Sequence, residues 1–282
     1  MRVDALLRAG VTRSFEFFPP KTDEESATLE TALEDLVPLA PSFVSVTYRG
    51  GEASRQRTFD LVTRVQREGR LTAVAHVVLA GHRRRELAEV LERYRDAGIE
   101  NIMALGGDHV PGEGPTELTY ALELVDLART VGPFSIGVAA HPAGHPRSPD
   151  RASDRLHLAE KLARADFTIT QFFFRPDEWS GLVADLADRG VTKPVLPGIM
   201  PVTSLRSIPR MAEMGAAVPS ELVTRLHAAN ERGGPSAVRA EGIAAATELC
   251  AALLDRGAPG LHFYTLNRSS ATREIHAALF GP

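Results

Sequence analysis

At 282 residues, 44% hydrophobic and 24% charged, the chain has the composition of a soluble globular protein and a length that one α/β barrel can use undivided. Its net charge of −4 argues against nucleic acid or an anionic membrane as the main partner, and no apolar run approaches the roughly 20 residues that span a bilayer. The single cysteine, Cys250, reads as packing in an apolar helical pattern, and the N-terminal MRVDALLRAGVTR lacks the apolar centre of a signal peptide, which predicts a cytoplasmic protein.

The first predicted strand is SFEFF (14–18), ended by Pro19–Pro20 and followed by a helical DEESATLETALEDLVPL. Strands at 43–48 (FVSVTY) and 71–80 (LTAVAHVVLA) come next. The helix RRRELAEVLERYRDAG then leads to a strand at 101–107 (NIMALGG), its arginines reading as a solvated face. TYALELVDLART precedes a strand at 135–141, and DEWSGLVADLADRG follows one at 167–174. After a strand at 195–200 come three helical patterns, SLRSIPRMAEMG, SELVTRLHAAN and PSAVRAEGIAAATELCAALLDRG, before the last strand at 261–266. Near-continuous apolar strands suit a parallel sheet covered by helices. Eight strand–helix units predict one (β/α)₈ TIM barrel over residues 1–282, with an open doubly wound sheet as the alternative. No linker or internal repeat divides the chain.

The longest non-periodic stretches, 106–117 and 141–154, both follow strands and belong at the barrel's C-terminal face, where active sites are built. Glu16, Thr47, His76, Asp108, His141, Gln171 and Asn267 are polar residues at strand ends. A barrel gathers them at one mouth, which points to an enzyme. Glu16 stands among three phenylalanines, where a charge is costly to bury. It is either a partner of a basic residue or an acid with a raised pKa, poised to move a proton. Asp108 reads either as a site carboxylate or as a helix N-cap. His141 and His145, separated by three residues without a third clustered ligand, do not make a metal site.

The motifs SFEFFPPKT, FVSVTY, ALGGD, HP with a second HP, ITQFFF, PGIMPVTS and HFYTLNR resemble, in order, the 5,10-methylenetetrahydrofolate reductases. The resemblance covers roughly residues 12 to 280 and implies a (β/α)₈ barrel. It also implies reduction of 5,10-methylenetetrahydrofolate to 5-methyltetrahydrofolate, with NADH or NADPH as the source of hydride and FAD as the usual carrier. Glu16 takes the place of the acid that protonates N10 and opens the ring to the 5-iminium cation. Asp108 takes the place of a carboxylate that binds the pterin and stabilises that cation. Gln171, Met211 and Arg268 fall where the family contacts folate. Thr47, Tyr48, His76, Gly107, His141, His145, Asp154, Lys161 and again Gln171 fall where it contacts nicotinamide or flavin.

The chain departs from the family at the flavin. Gly106 stands where an arginine is usual, Glu160–Lys161 where a basic pair is usual, His141 replaces an aromatic residue, and Arg49 intrudes where small residues are usual. Two lost arginine–phosphate contacts, at about 1.5–3 kcal/mol each, weaken a diphosphate by roughly two to four orders of magnitude. The expectation is that FAD is bound weakly or not at all, with hydride passing directly from nicotinamide to folate; a conventional flavoenzyme is the alternative. Reduction of a related pterin, a deazaflavin donor and a non-catalytic folate-binding barrel are further alternatives. The choice of NADH or NADPH and a homo-oligomer both stay open.

Overall fold

Strand β1 (Thr12–Phe17) begins a run of eight parallel strands in the computed structural model, which describes residues 1–48, 52–107 and 117–281. β2 (Phe43–Val46), β3 (Ala73–Val78), β4 (Asn101–Leu105), β5 (Ser135–Ala140), β6 (Phe167–Phe172), β7 (Val195–Ile199) and β8 (Gly260–Tyr264) pair in chain order, and β8 closes on β1. The closed (β/α)₈ barrel is the predicted fold, and the open sheet is excluded. Seven of the eight strands are shorter than their apolar runs, mostly because mouth-side residues leave the ladder to form loops; β1 instead begins two residues earlier than expected, at Thr12.

Both faces of every strand are covered, which is why the strands read as unbroken apolar runs. Outward residues such as Phe15, Phe17, Val44, Val46, Ile102 and Ile136 pack beneath the surrounding helices. These are α2 (Asp23–Leu36), α3 (Glu52–Arg67), α4 (Arg84–Asp96), α5 (Ala121–Val131), α6 (Arg151–Leu162) and α7 (Pro176–Ala187), with α9 (Ser220–Asp255) and α10 (Ser270–Phe280) completing the ring. Between β7 and α9 lies the short α8 (Ser207–Glu213). The two helical patterns expected across 220–255 are present as two helical stretches, taken together as α9, that meet at non-helical backbone at Gly233–Gly234, where Gly234 takes φ +63°. No helix among the described residues is long and apolar enough to cross a membrane.

The helix α1 (Val3–Ala9) is absent from the sequence reading. It closes the N-terminal end of the barrel: Val3 and Leu7 pack against the inward Phe43, Val74, Met103, Phe167, Ile169 and Leu196. Its first-turn amides, which have no partner within the helix, find side chains instead. The Val3 N–H donates to Asn101 Oδ1 at 2.8 Å, and the Asp4 N–H to Ser135 Oγ at 3.1 Å. With that end plugged, the open mouth is the other one.

Candidate functional site

Alternation along β1 decides where Glu16 points. Phe15 and Phe17 face the helices, so Ser14 and Glu16 face the barrel interior. The expected wrapping of the carboxyl by phenylalanines is therefore corrected: its neighbours are polar. Thr47 Oγ1 donates to Glu16 Oε1 at 2.7 Å, and Ser45 Oγ to Oε2 at 3.4 Å. His76 Nε2 stands 3.4 Å and His262 Nε2 3.6 Å from the same Oε2. His76 Nε2 is buried and makes no aligned hydrogen bond among the described residues.

The raised pKa expected of Glu16 is corrected as well. Burial pushes the carboxyl up, but attraction to His76 and hydrogen bonds from His262 and Thr47 outweigh it and hold the group below its ordinary value. Burial holds His76 below the usual imidazole value despite Glu16 beside it.

A second cluster forms where β5 meets α6. His141 and His145 meet edge to face with centroids 4.6 Å apart. Burial, and then the proximity of His145, pushes His141 down to about 4, so that ring is neutral at pH 7. Asp154 accepts the His145 N–H at 3.1 Å and Arg155 Nη1 at 2.5 Å. Arg155 is 1% exposed and also donates to the carbonyls of His141 and Pro142, at 3.0 and 2.5 Å. It is the pin that shapes the 141–150 loop, and sequence reasoning missed it. Lys161 donates inward to the Ala139 carbonyl at 3.2 Å. Arg147 reaches the carbonyl of Gly107, a residue at φ +75°.

On the opposite rim, Ile169 pairs with Leu196 but Phe172 with Gly198, so β6 carries one extra residue. Bulges of this kind re-aim side chains at barrel rims. Gln171 sits in the bulge, its Nε2 donating to the Met214 carbonyl at 3.1 Å. It lines a crevice of about 340 Å³ together with His141, Gly144, Phe174 and Val218. Tyr264 donates to the Thr170 carbonyl at 2.7 Å across Gly198, where a Cβ would lie 2.2 Å from that oxygen. Arg268 is exposed at the rim. Met211 is 4% exposed and packs with Met200, Val202 and Val218, the last of which lines the Gln171 crevice. Tyr48 lies against His82, with centroids 6.1 Å apart. Asp108 and Arg49 lie outside the described residues.

The structure thus brings Glu16, Thr47 and His76 into one cluster and His141, His145, Asp154 and Lys161 into another. It adds His262, Ser14, Ser45, Tyr264 and Arg155, which sequence reasoning missed. The signal for His262 and Tyr264 was parity: both stand on the inward side of an apolar strand. A larger hollow of about 450 Å³ lies away from these groups, between β7 and α9. Its charged residues pair with one another, Arg175 with Glu221 and Arg225 with Glu248.

A flavin diphosphate requires donors and positive charge facing the mouth. Gly106 offers neither, although a Cβ there would meet nothing within 4 Å among the described residues. Glu160 is exposed and paired with His157 at 3.2 Å, while Lys161 and Asp154 are engaged internally. Among the described residues this set does not fit a flavin diphosphate. No group of three or more His, Cys, Asp or Glu among them is placed to hold a metal ion.

The profile of the family described as "Methylenetetrahydrofolate reductase" matches residues 2–279. A 5,10-methylenetetrahydrofolate reductase of Pectobacterium carotovorum is 33% identical over 273 residues, covering 96% of this chain and 91% of that protein. The Escherichia coli protein of the same name is 32% identical with the same coverage. Arabidopsis thaliana "Methylenetetrahydrofolate reductase (NADH) 1" is 32% identical over 90% of this chain and 46% of its own length. Among solved structures, a Clostridium thermocellum protein described as binding two copies of 5-methyl-5,6,7,8-tetrahydrofolic acid superposes with a TM-score of 0.71 at 12% identity, covering 99% of this chain and 98% of that one.

Proposed function

Since the chain belongs to the methylenetetrahydrofolate reductase family, and with it to the oxidoreductases that reduce 5,10-methylenetetrahydrofolate to the 5-methyl product, we propose that NADH or NADPH gives the hydride directly and that Glu16 gives the proton. The name of the Arabidopsis relative supports NADH, and the folate ligand of the Clostridium structure supports a tetrahydrofolate at the mouth.

Ring opening sets the demand on the protein. N10 must take a proton as its bond to the methylene carbon breaks, leaving a 5-iminium cation; a nicotinamide bound alongside supplies the hydride that makes the methyl group. The observation that carries the reading is Glu16: it points into the barrel at the mouth, its side chain is 17% exposed, and hydroxyl donors fix its orientation. Substrate that displaces the remaining water strengthens the burial that raises its pKa. The proton is then held where N10 requires it. Asp108, by the family resemblance, supplies the negative charge beside the iminium. Gln171 suits alternating contact with folate and nicotinamide, since its amide both donates and accepts.

Direct transfer is supported by Gly106, by Glu160 and by the inward commitments of Lys161 and Asp154. It requires both substrates on the enzyme together. Initial-rate plots at varied NADH and methylenetetrahydrofolate are expected to intersect, with colourless protein and no stimulation by added FAD. Parallel lines, or stoichiometric flavin lost together with activity, overturn it.

A further inference from the structure

We propose that His262 shares the acidic proton of Glu16, acting from beneath it as a positioning residue; the proposal rests on Glu16 being the proton donor. His262 is 0% exposed and lies in register with Ser14, one layer deeper in the barrel than Glu16, which is in register with Tyr264. Substrate approaches Glu16 from the mouth, and His262 meets it from the closed side.

The hydrogen-bond chain fixes what His262 can do. Nδ1 stands 2.8 Å from Ser14 Oγ, and that hydroxyl has an onward acceptor in the Leu261 carbonyl at 3.3 Å. When Nδ1–H donates to Ser14 and Ser14 donates to Leu261, Nε2 is free either to carry a proton toward Glu16 or to accept one from it. The pair then holds one proton in two forms: a carboxylate facing a protonated ring, or a carboxylic acid facing a neutral one. The first explains how a carboxyl held below its ordinary value still has a proton at hand. The second is the form that delivers it to N10.

Geometry supports this exchange. Nε2 is 3.6 Å from Glu16 Oε2, and Ser45 Oγ stands 3.5 Å from the one and 3.4 Å from the other, so the three form a triangle. Such contacts commonly shorten once substrate is bound. The ring is held by Phe43, near-parallel at 6.0 Å, and by Tyr264, edge-on at 5.3 Å. From β3, His76 Nε2 faces the same carboxylate oxygen at 3.4 Å without an aligned hydrogen bond among the described residues. Tyr264 is directed away to Thr170. His262 is thus the neighbour whose far nitrogen is braced for proton exchange.

After N10 has taken its proton, Glu16 remains as the carboxylate, held by Thr47 and Ser45. Solvent restores the proton through the mouth once product leaves.

The test is the pH profile of turnover with NADH and methylenetetrahydrofolate. His262→Gln places an amide N–H near the Nε2 position but cannot hold a shared proton. Its alkaline limb is expected about one pH unit lower than that of the native enzyme, about tenfold in rate on the falling limb, with KM for folate unchanged. Ser14→Ala, a smaller change, is expected to move the limb in the same direction by less, and keeps the test open if His262→Gln does not fold. A folded His262→Gln or Ser14→Ala enzyme whose limb stays in place overturns the proposal, even if its rate falls uniformly. Glu16→Gln separates the two readings. Loss of turnover there, together with an unmoved limb in His262→Gln, refutes the proton sharing alone; near-native turnover in Glu16→Gln refutes Glu16 as donor.

Discussion

On the proposed mechanism the chemistry turns on the carboxyl of Glu16, and the residue scale gives two separable predictions. Glu16→Gln keeps the shape and most of the Thr47 contact but cannot deliver a proton. The protein is expected to stay folded and to bind 5-methyltetrahydrofolate, while turnover falls by about 10²–10⁴-fold, the contribution of general acid catalysis. A folded variant with near-native turnover would make Glu16 scaffolding. His141 gives the second prediction. Its unfolded value of 6.5 falls to about 4 in the folded chain, so between those pH values the unfolded state binds more protons and stability declines as pH falls. His141→Phe is expected to flatten that part of a plot of melting temperature against pH; an unchanged slope assigns the acid sensitivity elsewhere. At this scale the sequence set Glu16, Thr47 and His76 among the polar strand ends of one mouth but misjudged what surrounds Glu16. Residues adjacent in sequence alternate between faces of a strand, so Phe15 and Phe17 describe the wrong side of it. The residues that do surround Glu16 come from β2, β3 and β8, and only barrel closure brings them together.

Elements carry the next level of control, and the segment after β8 shows how. Leu266 and Asn267 both adopt left-handed backbone, φ +51° and +56°, which is costly for a residue such as Leu. The conformation is held by Asn267, whose Oδ1 accepts the Phe18 N–H at 3.0 Å and whose Nδ2 donates to the Phe18 carbonyl at 2.9 Å. Thr265 Oγ1 donates to the Glu16 carbonyl at 2.6 Å. The loop bearing Arg268 is thereby fastened to the strand bearing Glu16. Asn267→Gly accepts the positive φ but removes its two hydrogen bonds to the Phe18 backbone. A loss of about tenfold or more in kcat/KM is expected from small misplacement of both residues, with the chain still folded. Unchanged kinetics would show that the clamp serves the fold alone. The strands themselves were legible from apolar runs and their punctuation. The β6 bulge was not, because an extra residue in ITQFFF looks like more strand until the partner's register is known.

For the whole molecule, barrel closure and the α1 plug divide labour between two ends. The core beneath α1 reaches the site through Phe43, which stacks on His262, whereas Leu7 lies at the plugged end, so damage at Leu7 tests stability at a distance from the chemistry. Leu7→Ala is expected to cost about 2–3 kcal/mol as a large-to-small core change, with kcat unaltered. A parallel loss of kcat in the folded variant would mean that the two ends communicate. The plug escaped the sequence reading because seven residues, Val3–Ala9, give too short a window for helical periodicity, and their apolar partners lie on other strands.

The seam between β1 and β8 has a consequence for the life of the chain. Ser14 and His262 are 248 positions apart, and Phe18 and Asn267 are 249 apart, yet they meet beside the Glu16 carboxyl. The acid is made before the strands and helices that lie between, and its β8 partners and clamp only after β7. Until β8 has docked, β1 lacks one neighbour and Glu16 lacks both the imidazole beneath it and the tie on its backbone. On the proposed mechanism, activity is therefore a report that β8 has been made and has docked, and a chain arrested before β8 is expected to be chemically mute.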